Sequence, residues 1–164
     1  MDEQRALLRH FLAGVAYRTQ KALRGAPADF SEFRAPNLVR TPHELIRHMD
    51  SVLGYARTFF IGGSYRPPVF QSFAEAVAHF HEILEDLARH LESGAEFQGI
   101  TAERMLQGPL SDVMTHVGQL AMLRRLVGSP VSPENFIFAS ITTANLGIDQ
   151  PEPVSPDKEW PGRL

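Results

Sequence analysis

Apolar residues recur at three- and four-residue spacing along most of the chain, a pattern typical of amphipathic helices rather than of strands. Four helices are predicted: residues 2–24, 41–61, 72–94 and 108–128. Residues 26–40 keep no sustained period and are expected to form a long crossover loop. Strand alternation, internal repeats and low-complexity tracts are absent from the sequence. We therefore expect an all-α fold, an up-down four-helix bundle with a long crossover loop.

Capping residues sharpen two of these boundaries. Thr41-Pro42-His43-Glu44 predicts a capping box with proline in the first turn of the second helix, and Ser72 with Glu75 predicts a second box. The fourth helix has two interpretations. It begins near Gly108-Pro109, or Pro109 kinks a longer helix that starts near Ala102.

The apolar pattern weakens after the fourth helix. A short fifth helix is expected from Pro133 to about Ile141, capped by Ser132, and an extended proline-rich tail covers residues 142–164. Trp160 stands out in that tail, since a lone tryptophan usually docks on a surface. The whole chain, 1–164, is thus interpreted as one domain with its bundle over about 2–128.

Composition excludes several classes of function. The net charge is −3 and no run of basic residues occurs, which argues against a nucleic-acid partner. No apolar run approaches the ~20 residues that span a bilayer, and the N-terminus lacks the apolar core of a signal peptide. A cytoplasmic protein is expected. Because the chain contains no cysteine, disulfides, thiolate metal sites and cysteine nucleophiles are excluded.

Two of the seven histidines are predicted to lie on inward helix faces. His48 follows Leu45 by three residues and precedes Val52 by four, and His116 precedes Leu120 by four. The remaining histidines are interpreted as surface residues: four lie on or near polar faces and one lies in the first turn of the second helix (His10, His79, His81, His90 and His43).

Asp112 precedes His116 by four residues, a spacing that rotates the helix by about 40° and rises about 6 Å, so both side chains point the same way. Together with His48 they are a standard set for a divalent cation with open coordination positions. Three other interpretations stay open. The histidines could be satisfied core residues. Asp112 could favour the helix dipole if Ser111 is the N-cap. The three could also pair without a metal.

The segments around these residues resemble the DinB-like (YfiT-type) superfamily. Residues 115–120, Thr-His-Val-Gly-Gln-Leu, resemble its H-x-G-Q-L segment, and residues 45–49 resemble its second-helix segment, followed here by Ser51, Gly54 and Tyr55. The resemblance implies a four-helix bundle in which three histidines bind a divalent metal. Carried over, His48 is the first ligand, His116 is the third, and Asp112 replaces the second histidine.

The resemblance also implies chemistry. The superfamily contains thiol-dependent transferases and isomerases, metal-dependent hydrolases and members without known activity, so the expected function is a metalloenzyme with one zinc, nickel, manganese or iron ion. A small-molecule thiol or an electrophile is the expected partner. Tyr55 and Arg124 are candidates to line the cavity mouth and bind substrate, or are surface and packing residues. The alternative is a non-catalytic interaction or dimerisation protein; a homodimer is plausible for this architecture.

Overall fold

The structure, a computed structural model, describes residues 2–154 and contains helices without strands in that range. The prediction that Trp160 docks lies outside the described residues. The main helices are α1 (Glu3–Leu23), α2 (Pro42–Ile61), α3 (Phe73–Glu92), α4 (Ala102–Met105) and α5 (Ser111–Leu126), with a π-helical segment (Leu106–Leu110) and two 3-10 turns (Phe30–Glu32, Phe136–Phe138). None of the helices in the described part is long and apolar enough to cross a membrane. The all-α prediction is confirmed.

The capping residues act largely as predicted. The Thr41 hydroxyl accepts the Glu44 N–H at 3.2 Å and the Glu44 carboxylate accepts the Thr41 N–H at 2.8 Å, which completes the capping box of α2. The second box is only half formed. Ser72 accepts the Glu75 N–H at 3.1 Å, but the Glu75 carboxylate binds the N–H of Gln71, one residue earlier than expected.

Residues 102–126 form one continuous helical run, as the second interpretation of Pro109 predicts. Thr101 caps the run, and the π-helical segment absorbs Pro109, which cannot donate a backbone hydrogen bond. Ser111 lies inside the run and donates its hydroxyl to the Leu106 carbonyl at 2.6 Å. The interpretation of Ser111 as an N-cap is therefore wrong, and Asp112 lies well beyond the start of the run.

Strict up-down alternation is wrong for the second and third helices, which run parallel. His79 on α3 contacts Asp50 on α2, and Asp86 contacts Arg57, so both sequence positions advance together. Residues 62–72 make this possible by running back along the bundle. Eleven extended residues span up to about 36 Å, enough to return along a 20-residue helix of about 30 Å.

The four long helices surround one core. α1 and α2 lie diagonally opposite each other, and each packs against both α3 and α5. Gln4 at the start of α1 contacts Glu103, while Ala22 near its end contacts Arg124, so α1 and α5 are also parallel. Most apolar residues that recur at three- and four-residue spacing on these helices are buried, but Leu7 and Leu126 are mainly exposed.

The predicted fifth helix is wrong; only the turn Phe136–Phe138 forms, and Asn135 rather than Ser132 caps it. This segment is held by a buried carboxylate instead of by helix packing. Glu134 accepts the Tyr17 hydroxyl at 2.6 Å and pairs with Lys21 at 3.0 Å. The chain after α5 is thereby anchored on α1.

Candidate metal centre

The antiparallel packing of α2 and α5 brings His48, Asp112 and His116 together in one groove. The imidazole rings of the two histidines lie 4.6 Å apart between centroids. One ligand atom from each of the three residues lies within 4.8 Å of the others. Residues separated by more than sixty positions in sequence thus lie in one group, and this group could hold a metal ion.

His116 is oriented by its own helix. Its Nδ1 lies 2.7 Å from the backbone carbonyl of Asp112, one turn earlier, and 3.4 Å from the Asp112 carboxylate. A proton on Nδ1 satisfies both contacts and leaves the Nε2 lone pair free. Metal-binding histidines commonly use one ring nitrogen for such a contact, because it fixes the tautomer and the ring orientation.

His48 and Asp112 are less buried than His116, and they leave one side of the group open. His48 Nε2 lies 3.9 Å from the Asp112 carboxylate. Burial lowers the pKa of the His48 imidazole, the positive charge of Arg40 and the neighbouring His116 lower it further, and Asp112 opposes the change. A lowered pKa keeps this imidazole neutral near pH 7, the form that binds metal.

The donor set fits a divalent cation. Nitrogen and oxygen ligands bind such ions at about 2.0–2.2 Å, so two ligands of one ion lie roughly 3–4 Å apart. The ligand atoms of the three residues lie within 4.8 Å of one another, close to that range. Three protein ligands leave coordination positions for water or substrate, the arrangement of catalytic rather than structural sites.

An open cavity of about 480 Å³ adjoins Asp112 on one side of the group. Tyr55 lines this cavity together with Ser51 and Val52 from α2, and Gly108 and Pro109 come from the π-helical segment. The structure therefore places Tyr55, which is mainly exposed, in the lining of a cavity that Asp112 also lines. Its role in binding substrate remains a prediction.

Arg124 lies elsewhere. Its side chain is buried, with 4% of the residue exposed, and its guanidinium donates to carbonyls at the C-terminal end of α1 and to Ser129. The contacts with residues 22, 24 and 25 join α5 to the end of α1, whereas the metal group joins α5 to α2. This position agrees with the interpretation of Arg124 as a packing residue. It does not agree with a place at the mouth of the cavity.

A buried polar network on the other side of α2 was missed. Asp50 is fully buried, and its carboxylate accepts hydrogen bonds from His79 at 2.6 Å and from the Tyr65 hydroxyl at 2.8 Å. Burial raises the pKa of Asp50, and both donors counteract the rise. The sequence spacing indicates the inward position of Asp50, because Asp50 follows Ile46 by four residues and therefore lies on the same face of α2.

The surface interpretation of the remaining histidines is wrong for His81, whereas His43, His79 and His90 are partly buried. His81 is buried, where its ring nitrogens lie 2.8 Å from the Gln20 side-chain amide and 2.6 Å from the Leu146 carbonyl. His79 is partly buried by its contact with Asp50. Both ring nitrogens of His81 thus have partners, which makes it a satisfied core histidine.

Comparison with protein-family models, curated proteins and solved structures finds no match for the chain. The DinB-like resemblance is therefore carried only by residues 45–49 and 115–120 with their neighbours. In the structure, these two segments lie on α2 and α5 and supply His48 and His116 to the same groove.

Proposed function

We propose that this chain is a DinB-like protein that binds one divalent metal ion through His48, Asp112 and His116 and uses it in catalysis. The convergence of these three side chains from α2 and α5 carries the proposal. A carboxylate and two imidazoles with an open side have the ligand number and the accessibility of a catalytic site. The fixed orientation of His116 adds support, because a ring held by its Nδ1 needs little reorganisation to bind through Nε2.

The arrangement of helices supports the DinB-like assignment. The long connection between α1 and α2, residues 24–41, joins diagonal helices, and the two histidines lie on the second helix and on the last long helix. Asp112 departs from the three-histidine pattern. A carboxylate adds negative charge and shifts preference towards harder cations, so manganese and iron join zinc and nickel as candidates.

Two reaction types suit such a centre: transfer of a small-molecule thiol to an electrophile, and hydrolysis. A bound divalent ion would supply Lewis acidity and lower the pKa of a bound thiol or water. Tyr55 lines the adjoining cavity and would orient the substrate through its hydroxyl. Glu44 is one turn from His48, but its carboxylate already accepts the Thr41 N–H, so we assign it the capping role.

Metal binding is tested by isothermal titration of untagged, metal-stripped protein with zinc, nickel and manganese. One ion per chain is expected for the wild type. Loss of an outer-shell partner weakens metal binding by about 10- to 100-fold. His116→Ala removes a direct ligand and should therefore weaken binding by more than that. His10→Ala, which removes an exposed histidine from α1, is the matched control and should bind like the wild type. Equal binding by the His116 and wild-type proteins would refute the ligand assignment.

Catalysis is tested separately, by metal-dependent conjugation of low-molecular-weight thiols to a reactive electrophile and by hydrolysis of activated esters. Tyr55→Phe should slow the active reaction without changing metal affinity, because the ring stays in place and only the hydroxyl is lost. If the protein binds metal but turns over no substrate in either assay, the assignment of the metal ligands is kept and the proposal of an enzyme is refuted. The non-catalytic bundle would then be the better description.

A further inference from the structure

A second cavity, of about 600 Å³, lies between the crossover loop and α5. Gln119 in its wall follows His116 by three residues on α5, so the cavity lies along the same helix as part of the metal group. The helix α5 thus borders two cavities, one lined by Asp112 and this one lined by Gln119. Its lining is Asn37, Leu38, Val39, Arg40, Gln119, Met122, Leu123 and Leu126.

The lining has two chemical parts. Arg40 and Gln119 provide a cation and an amide. The remaining wall is mainly apolar, and much of it is exposed: Leu38, Val39, Met122 and Leu126. Several large apolar side chains grouped on one exposed surface usually mark a binding site. The combination of such a wall with one positive charge suits a ligand that is apolar along its body and negative at its head.

Arg40 supplies the positive charge in this lining. Within residues 2–154, the Arg40 side chain forms no ion pair or hydrogen bond. Its charge also acts on Glu44, but the carboxylate of Glu44 is held by the Thr41 N–H. The Arg40 guanidinium is therefore available to an anion that enters the cavity.

Leu38 gives an independent indication. Both Asn37 and Leu38 adopt the left-handed conformation, with φ of 63° and 60°, and the Leu38 side chain is fully exposed. Asparagine tolerates this conformation, whereas a leucine there is uncommon and costs conformational free energy. Neither burial nor backbone preference explains this leucine, but an apolar ligand that covers it would.

We propose that this cavity binds an amphipathic monoanion, such as a carboxylate on a hydrocarbon or aromatic body. The anionic head contacts Arg40 and Gln119, and the body lies along Leu38, Met122 and Leu126. This orientation places the head beside Gln119, the lining residue of α5 that is nearest in sequence to His116. The inference rests on the proposed function, for which it names a substrate class and makes Arg40 a residue that determines specificity.

The test uses three probes: octanoate, acetate, which has the charge without the chain, and octylammonium, which has the chain with the opposite charge. Calorimetric titration should detect octanoate and find acetate and octylammonium much weaker. Arg40→Gln should weaken octanoate binding about tenfold, as expected for a lost charge-assisted hydrogen bond. Arg47→Gln is the matched control, because Arg47 is also exposed but does not line the cavity, and its binding should be unchanged.

Octanoate is titrated both with and without zinc, and zinc uptake by each variant is measured on its own. Failure of zinc uptake would refute the metal centre, whereas normal zinc uptake without octanoate binding would overturn only this inference. Equal binding of octylammonium, or an unchanged affinity in Arg40→Gln, would also overturn it. A concentration-dependent dimer that does not bind octanoate would show instead that the apolar wall is an interface between copies of the chain.

Discussion

Replacing Arg124 by methionine tests whether this residue stabilises the fold or serves the site. The guanidinium donates to the carbonyls of Ala22, Arg24 and Gly25 and to the carbonyl and hydroxyl of Ser129, at 2.9–3.2 Å. Methionine keeps much of the apolar stem and removes every donor. The residue therefore links the end of α1 to the turn after α5, and its loss should destabilise the whole bundle.

The size of the effect follows from the burial of these partners. The bond to Ala22 is buried, and an unsatisfied buried carbonyl costs about 1–3 kcal/mol. The other contacts are partly exposed, so water replaces the lost donors and each contributes less, about 0.5 kcal/mol. The total is about 3–5 kcal/mol. For a chain of this length, such a loss corresponds to a fall in Tm of about 6–20 °C.

Urea denaturation followed by circular dichroism at 222 nm measures this loss, with Arg125→Met as the matched control. Arg125 is exposed, so its replacement should change the free energy of unfolding by less than about 0.5 kcal/mol. Metal affinity and octanoate affinity should be unchanged in Arg124→Met. An Arg124→Met protein with wild-type stability and impaired ligand binding would refute the structural role of Arg124 and show that the residue takes part in binding ligand.

Three further predictions concern other parts of the structure. Gly54→Ala should destabilise the fold by about 2 kcal/mol, because the added Cβ would overlap the Tyr65 ring. Gly14→Ala, with open space around it, is the control and should be neutral or stabilising when both variants are measured by urea denaturation. The hydrogen bond from the Thr41 N–H holds the pKa of Glu44 below its usual range. The stabilisation of the fold by the Glu44 carboxylate is therefore present above pH ~4.3, and it is lost as the pH falls through the lowered pKa. The difference in free energy of unfolding between wild type and Glu44→Gln should therefore shrink in acid; a constant difference from pH 7 to pH 3 would contradict this. Asp112→His should strengthen nickel binding and weaken manganese binding in calorimetric titrations, and an unchanged preference would exclude Asp112 as a ligand.

Sequence patterns predicted the local features well because those features depend on neighbouring residues. Thr41 and Glu44 specify the start of α2 through contacts three residues apart. The inward positions of His48 and His116 follow from helical spacing alone. Their meeting depends on which helices become neighbours, and the resemblance to known bundles, rather than the spacing, supplied that expectation.

The features that were missed depend on tertiary contacts. An apolar stripe shows that a helix faces the core but not the direction of its neighbour, so the parallel pairing of α2 and α3 was not predictable from it. Asp50 and His81 have polar side chains on inward positions, and their partners come from distant segments. Arg124 has a side chain long enough to reach several elements, and only the packed structure shows that it binds the end of α1.

The parallel pairing of α2 and α3 bears on how the chain folds. Helices that follow each other in sequence do not form simple antiparallel hairpins here: α1 and α2 are diagonal, α2 and α3 are parallel, and α3 and α5 are diagonal. The contacts that build the core therefore join segments far apart in the chain. Helical proteins usually fold fast because their contacts are local, and rates fall as the mean sequence separation of contacts grows. This bundle is expected to fold more slowly than one of equal length built from helical hairpins, whatever ligand it carries.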